Sequence, residues 1–177
     1  MKLLYEFKEV FGDDDIPEVL ISRLSDENNE LDKPDFTVRV SSFNNDGEYY
    51  VITKPEDVDG NGKGDKNDAS YYELAAKLVT DLVTLSDIGD KKRFSRILIR
   101  FKPGSTTDIE ILHFKDGNNI ISAADFIVTV TNPDRYGKYR EVKDLIDADG
   151  DGDADSNDRL IYRKLATSFA SMKDPRP

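Results

Sequence analysis

Two acidic segments decide the fold that this sequence predicts. Residues 147–158 read Asp147-Ala148-Asp149-Gly150-Asp151-Gly152-Asp153-Ala154-Asp155-Ser156-Asn157-Asp158, and residues 57–68 read Asp57-Val58-Asp59-Gly60-Asn61-Gly62-Lys63-Gly64-Asp65-Lys66-Asn67-Asp68. We call residues 57–68 loop one and residues 147–158 loop two. Two carboxylates about 4 Å apart repel each other by roughly 4 kcal/mol at an effective dielectric constant near 20. Loops that crowd so many Asp residues therefore predict a bound cation.

The spacing of the oxygen-bearing residues favours calcium. Calcium takes about six to eight oxygen ligands, and a 12-residue loop supplies them from positions 1, 3, 5, 7, 9 and 12 when the chain turns sharply at position 6. Position 6 is Gly62 in loop one and Gly152 in loop two, which permits that turn. Position 7 contributes only a backbone carbonyl. The predicted ligands of two calcium ions are Asp57, Asp59, Asn61, Lys63, Asp65 and Asp68 in loop one, and Asp147, Asp149, Asp151, Asp153, Asp155 and Asp158 in loop two.

Charge predicts a difference between the two sites. Loop two holds six Asp and no basic residue, for a net charge of −6, whereas four Asp and two Lys give loop one −2. We therefore expect calcium to bind more tightly at loop two. Together the loops account for −8 of the chain's net −11, so the acidity is local and disfavours binding to a nucleic-acid backbone through the loops.

Both loops resemble the EF-hand calcium loop. They are closest to the loop-plus-one-helix form of dockerin modules, in which position 12 is also commonly Asp. The resemblance covers about 25 residues twice and none of the strands. It implies calcium as the ligand, a helix after each loop and, as one alternative function, an adhesion module that binds a receptor domain.

Self-comparison indicates an internal repeat. A shift of 90 residues aligns residues 35–81 with residues 125–171 without a gap and gives 15 identities in 47 positions. Strand-like runs precede each loop. They are Leu3–Phe11, Val19–Leu24 and Phe36–Phe43 before loop one, and Ser95–Lys102, Asp108–Lys115 and Phe126–Asn132 before loop two.

A helix is predicted after each loop from apolar residues at i, i+3, i+4 spacing. The predicted stripes are Tyr71, Leu74, Ala75, Leu78, Val79, Leu82 and Val83 in the first helix, and Leu160, Ile161, Lys164, Leu165, Ser168 and Phe169 in the second. Residues 140–146 are a candidate entering helix before loop two. We therefore predict an α+β fold built from a duplicated module of roughly 90 residues, with about three strands, a calcium loop and a helix.

The two modules are predicted to span residues 1–89 and 90–177, related by pseudo-twofold symmetry and packed as one compact unit. Whether one sheet runs through both modules stays open at this point.

Composition excludes several functional classes. The chain has 177 residues, no Cys and one His, so it offers no thiolate chemistry and no zinc site built on sulfur. No nucleophile, base and oxyanion donor form a recognisable set, so we expect a protein that is not an enzyme. His113 is predicted to be a partly buried strand residue. No apolar run approaches the length of a membrane span, and the N-terminus lacks the apolar stretch of a secretion signal.

These observations predict a structural or assembly protein whose two calcium ions rigidify the loop-helix junctions for a protein partner. Static calcium sites suit a calcium-rich setting outside cells, or a virion such as a phage particle. The alternatives are the dockerin-like adhesion module and an intracellular protein regulated by calcium.

Overall fold

The described part of the chain forms a single sheet with two helices. A computed structural model describes residues 1–8, 18–41, 48–54, 56–58, 61–85, 96–114 and 118–172. Its elements are β1 (Lys2–Lys8), β2 (Glu18–Leu24), β3 (Phe36–Ser41), β4 (Tyr50–Val51), α1 (Lys66–Leu85), β5 (Arg96–Phe101), β6 (Ile109–Phe114), β7 (Phe126–Thr131), β8 (Glu141–Lys143) and α2 (Ser156–Ser171). The eight strands form one sheet in the order β4-β3-β2-β1-β5-β6-β7-β8, and every neighbouring pair is antiparallel.

The predicted fold class is wrong. The sequence predicted an α+β protein made of two three-strand modules related by pseudo-twofold symmetry, whereas the structure has one eight-stranded antiparallel sheet carrying two helices. The sheet is continuous because β1 pairs with β5, where Leu3 lies opposite Ile99 and Tyr5 opposite Ile97. Strands from residues 1–89 and from residues 90–177 therefore share one hydrogen-bonded ladder.

Two short strands were not counted among the three predicted for each module, although residues 49–53 already read as strand-like in the sequence. β4 has two residues and β8 has three, too few for an alternating pattern to be recognised. Glu141–Lys143 forms β8 inside residues 140–146, so the candidate entering helix there is also wrong. Each short strand pairs with the end of a longer one, β4 with β3 and β8 with β7.

Alternation along the long strands produces two apolar faces. Successive side chains of a strand point to opposite faces of the sheet. One face packs against both helices and builds the main core, and its strand residues include Leu3, Tyr5, Val19, Ile21, Val38, Val40, Ile97, Ile99, Ile109, Ile111, Val128 and Val130. All twelve are buried, and they come from both halves of the chain.

A smaller core covers the centre of the opposite face. Its members are Leu4, Leu24, Leu31, Leu98, Leu112, Phe114 and Ile121. The connections β2–β3 and β6–β7 meet over this face, where Glu30 and Ile120 form an isolated antiparallel bridge. The Leu31 N–H donates to the carbonyl of Asn119 at 2.8 Å. These two connections therefore supply a partial third layer.

Both predicted helices are present, and five residues of the first predicted stripe are buried: Tyr71, Ala75, Leu78, Val79 and Leu82. Each predicted stripe also contains an exposed leucine. Leu74 is 45% exposed and Leu160 is 61% exposed, whereas Tyr162 and Ala166, which the predicted stripe omitted, are fully buried. A helix on a sheet buries a narrow stripe, and the sheet selects which of several apolar rows that is. No helix of the described residues is long and apolar enough to cross a membrane.

His113 lies in β6 and is 3% exposed, with its Nε2 atom 3.0 Å from the Tyr162 hydroxyl of α2. It is a buried strand residue, as predicted, although more completely buried. Burial lowers the pKa of His113 from 6.5 to about 4, because the imidazolium form would lose its hydration.

This depressed pKa predicts that acid destabilises the fold. The unfolded chain binds the His113 proton below pH 6.5 and the folded chain only below about pH 4. The part of the unfolding free energy that depends on neutral His113 is therefore fully present above pH 6.5 and is lost as the pH falls towards 4. The total loss is about 3 kcal/mol, at roughly 1.4 kcal/mol per pH unit. Urea unfolding between pH 7.5 and 4 should show this loss in the wild type and not in His113→Gln. Parallel pH curves for the two proteins would contradict it.

Candidate metal centre

Loop two connects β8 to the first turn of α2 and brings three carboxylates together. One carboxylate oxygen from each of Asp147, Asp149 and Asp151 lies within 4.8 Å of the others. Asp147 and Asp149 are half-buried and Asp151 is exposed. These are positions 1, 3 and 5 of the predicted calcium loop, so the structure clusters the side chains that the spacing selected.

Backbone N–H groups fix the bend of loop two. Asp147 accepts hydrogen bonds from the N–H groups of Gly150 at 2.7 Å and Gly152 at 3.1 Å. Gly150 has φ 81° and Gly152 has φ 105°, backbone conformations that are strained for residues with a Cβ. The glycine at position 6 is therefore required by the turn itself.

Two further carboxylates of loop two each use one oxygen within the chain. Asp149 Oδ1 accepts from the Asp151 N–H at 3.2 Å, and Asp151 Oδ1 accepts from the Asp153 N–H at 3.0 Å. Within the described residues, the Oδ2 atoms of Asp149 and Asp151 accept no hydrogen bond and meet no Lys or Arg. The loop thus leaves anionic oxygens available for a ligand.

The pKa of Asp149 records the crowding of these carboxylates. The hydrogen bond from the Asp151 N–H is the largest single influence and lowers this pKa. Loss of solvent and repulsion from Asp151, Asp158 and Asp147 together outweigh it, so the pKa of Asp149 is raised. A cation placed among these groups would remove that repulsion.

The carboxylate at position 12 of loop two is buried at the start of α2. Asp158 Oδ1 accepts from the N–H groups of Ala148 at 2.5 Å and Asp149 at 3.1 Å, and Oδ2 accepts from the Asp155 N–H at 2.7 Å. Asp155 is the N-cap of α2, and its side chain accepts from the Asn157 N–H. Reciprocal bonds between Asp155 and Asp158, each from a backbone N–H to the other side chain, form a capping box. Asp158 therefore fastens both ends of loop two to the helix.

Loop one repeats these bonds at α1. Asp68 is fully buried, and its Oδ1 and Oδ2 atoms accept from the N–H groups of Val58 and Asp65, both at 2.7 Å. Asp57 Oδ2 accepts from the Gly62 N–H at 2.8 Å, where Gly62 has φ 86°. The same turn at position 6 and the same anchor at position 12 are thus present in both loops.

The remaining predicted ligands lie at the rim of the loops. Asn61 Oδ1 accepts from the Lys63 N–H at 2.9 Å, and Asn61 Nδ2 lies 3.5 Å from Asp65 Oδ2. Lys63 and Asp153 are exposed, as suits residues expected to contribute only backbone carbonyls. Asp59 lies outside the described residues. Among the described residues, the cluster of three carboxylates lies in loop two.

Sequence reasoning missed the structural part played by position 2. Val58 is fully buried in the main core and Ala148 packs against that core, while their N–H groups donate to Asp68 and Asp158. An apolar or small residue inside an otherwise polar loop was the available signal. The residue at position 2 thus couples the geometry of each loop to the packing of the core.

The chain matches no family model, no curated protein and no solved structure.

The burial of Asp158 predicts that its neutral isostere destabilises the protein. Asp158→Asn keeps the shape but replaces one accepting oxygen with an N–H₂ group, so a buried loop N–H loses its acceptor. We expect a loss of about 1–3 kcal/mol in the free energy of unfolding without added calcium. Asp153→Asn, at an exposed position of the same loop, is the control and should change stability by less than about 0.5 kcal/mol. Equal effects of the two variants in urea denaturation would contradict the anchoring role.

Proposed function

We propose that this chain is a non-enzymatic calcium-binding protein whose ions stabilise the junction between each acidic loop and the helix that follows it. The observation that carries the proposal is the approach of the Asp147, Asp149 and Asp151 carboxylates to within 4.8 Å of one another at positions 1, 3 and 5 of a loop already bent at a glycine. Hard oxygen ligands in this number suit calcium, which accepts irregular coordination, better than magnesium, which requires an octahedron.

Preorganisation supports the proposal. The hydrogen bonds within loop two hold one oxygen of Asp149 and one of Asp151, so the carboxylates cannot simply rotate away from each other. The raised pKa of Asp149 shows that this arrangement carries repulsion. A divalent cation converts that repulsion into attraction, and the ligand that binds only the folded loop stabilises the fold.

The anchoring of both helices favours a static role for calcium over a switch. Asp68 and Asp158 hold the first turns of α1 and α2 through hydrogen bonds that involve only the protein. Both helices also bury apolar faces against the sheet. Removal of calcium should therefore lower the melting temperature while leaving the helix content nearly unchanged.

The wider part of the proposal is a structural subunit that presents a rigid surface to a protein partner. Calcium sites of modest affinity are saturated at the millimolar concentrations found outside cells. A calcium-rich setting of that kind, or a virion, is therefore the proposed location.

Calorimetric titration tests the metal site directly. We expect two calcium ions per wild-type chain and one per Asp149→Ala chain, because that change removes a carboxylate from loop two without removing an anchor of the helix. At calcium concentrations about 100-fold above the dissociation constant, each ion should add roughly 2.7 kcal/mol to the stability. Asp153→Asn is the matched control, because position 7 supplies only a carbonyl, and it should keep both ions. Wild-type protein that takes up no calcium at millimolar concentration would refute the proposal.

The two loops should differ in affinity. Loop two offers Asp151 where loop one has Asn61, and loop one carries two lysines. We therefore expect the site that Asp149→Ala removes to be the tighter one. Asn61→Asp should strengthen the weaker site several-fold by adding a ligand charge. Calorimetry in which Asp149→Ala removes the weaker site would reverse the assignment.

A further inference from the structure

A groove lies between β4, at one edge of the sheet, and α1. Its volume is ≈ 570 Å³, within the range of ligand-binding clefts. Its lining residues are Glu48, Tyr49, Tyr50, Val51, Glu73, Ala76, Lys77 and Thr80. None of its lining residues is among the predicted metal ligands.

The opposite edge of the sheet shows how such a junction is filled. There the Tyr139 N–H donates to Thr167 Oγ1 of α2 at 3.2 Å, and the Arg163 guanidinium donates from Nε to the Tyr139 carbonyl at 2.8 Å. Arg163 lies one helical turn before Thr167. A cationic side chain thus closes the space between β8 and α2.

The junction at β4 has the bond from the tyrosine N–H to a threonine hydroxyl. Within the described residues it lacks the bond from a cationic side chain to the tyrosine carbonyl. The Tyr49 N–H donates to Thr80 Oγ1 of α1 at 3.3 Å, but the residue one helical turn before Thr80 is Ala76. Alanine supplies no donor, and within the described residues no side chain reaches the Tyr49 carbonyl. Tyr49 and Ala76 both line the groove, so the groove lies beside the counterpart of the carbonyl that Arg163 binds at the other edge of the sheet.

We propose that this groove receives an arginine or lysine side chain from a basic segment of a partner protein. The guanidinium would donate to the Tyr49 carbonyl, as Arg163 does to Tyr139, and would lie near the exposed carboxylate of Glu73. Among the described lining residues, Glu48, Glu73 and Lys77 sum to a net charge of −1, and the whole chain carries −11, so a cationic partner is attracted both locally and at long range.

The edge strand argues for side-chain recognition over strand addition. β4 has two residues and therefore offers few backbone groups to an added strand. A seated cationic side chain needs only the groove and its acceptors. This inference does not depend on calcium binding.

Peptide titration followed by ¹⁵N–¹H NMR tests the groove in two series, one with millimolar calcium and one with a chelator, and the same groove signals should shift in both. The probes are acetyl-Thr-Val-Arg-Val-Thr-amide and its Glu counterpart, acetyl-Thr-Val-Glu-Val-Thr-amide. We expect the arginine peptide to shift amide signals of residues 49–51 and 73–80, and the glutamate peptide to have no effect. Ala76→Arg, which places a guanidinium in the groove, should weaken binding at least about tenfold.

Glu73→Gln covers the case in which Ala76→Arg does not fold, because Glu73 is exposed. It should weaken binding roughly threefold or more by removing one charge. Glu27→Gln, an exposed position away from the groove, is the matched control and should bind as the wild type does. Equal affinity for the two peptides, or shifts that map to residues 147–158, would overturn the proposal. So would self-association in sedimentation that Ala76→Arg abolishes, because a second copy of the chain would then occupy the groove.

Discussion

The antiparallel pairing of β1 with β5 is the constraint on which the rest of the structure depends. It brings Leu3 and Tyr5 opposite Ile99 and Ile97 and makes one ladder from strands that lie about 90 residues apart in sequence. Without that pairing, each set of four strands would have an exposed inner edge and half of a core. With it, a single apolar face is wide enough for both helices, and each acidic loop is held at a defined place between a strand and a helix.

Each acidic loop ends in a buried carboxylate that binds the loop to the start of the following helix. Asp68 and Asp158 are buried anions, and burial of a carboxylate is tolerated only where hydrogen bonds compensate for lost hydration. Backbone N–H groups at both ends of each loop supply those bonds. In loop two, the carboxylates of Asp147, Asp149 and Asp151 are then held close together, and their repulsion is what a bound cation would relieve. Folding of the helix start and clustering of the loop-two carboxylates are therefore parts of one arrangement.

Much of the local structure could be predicted from the sequence, because it depends on neighbours along the chain. The alternation of Val38 and Val40 identified a strand, the apolar spacing after each loop identified a helix, and the loop spacing selected three carboxylates that do cluster. The continuous sheet could not be predicted, since no periodicity specifies which strand edges meet. Asp158 was selected as a ligand by its position in the loop. Its burial and its hydrogen bonds from three loop N–H groups could be recognised only once Ala148 was seen to pack on the core.

The brevity of the two outermost strands has a consequence for how the protein behaves in a crowded solution. A long, flat outer strand exposes a row of unpaired amide groups that can template the addition of further chains, which is a route to amyloid-like fibres. Here the sheet ends at Tyr50–Val51 on one side and at Glu141–Lys143 on the other, and the second of these carries charge of both signs. Within the part of the chain that the structure describes, both outer strands are thus too short to offer a long template for the addition of further chains.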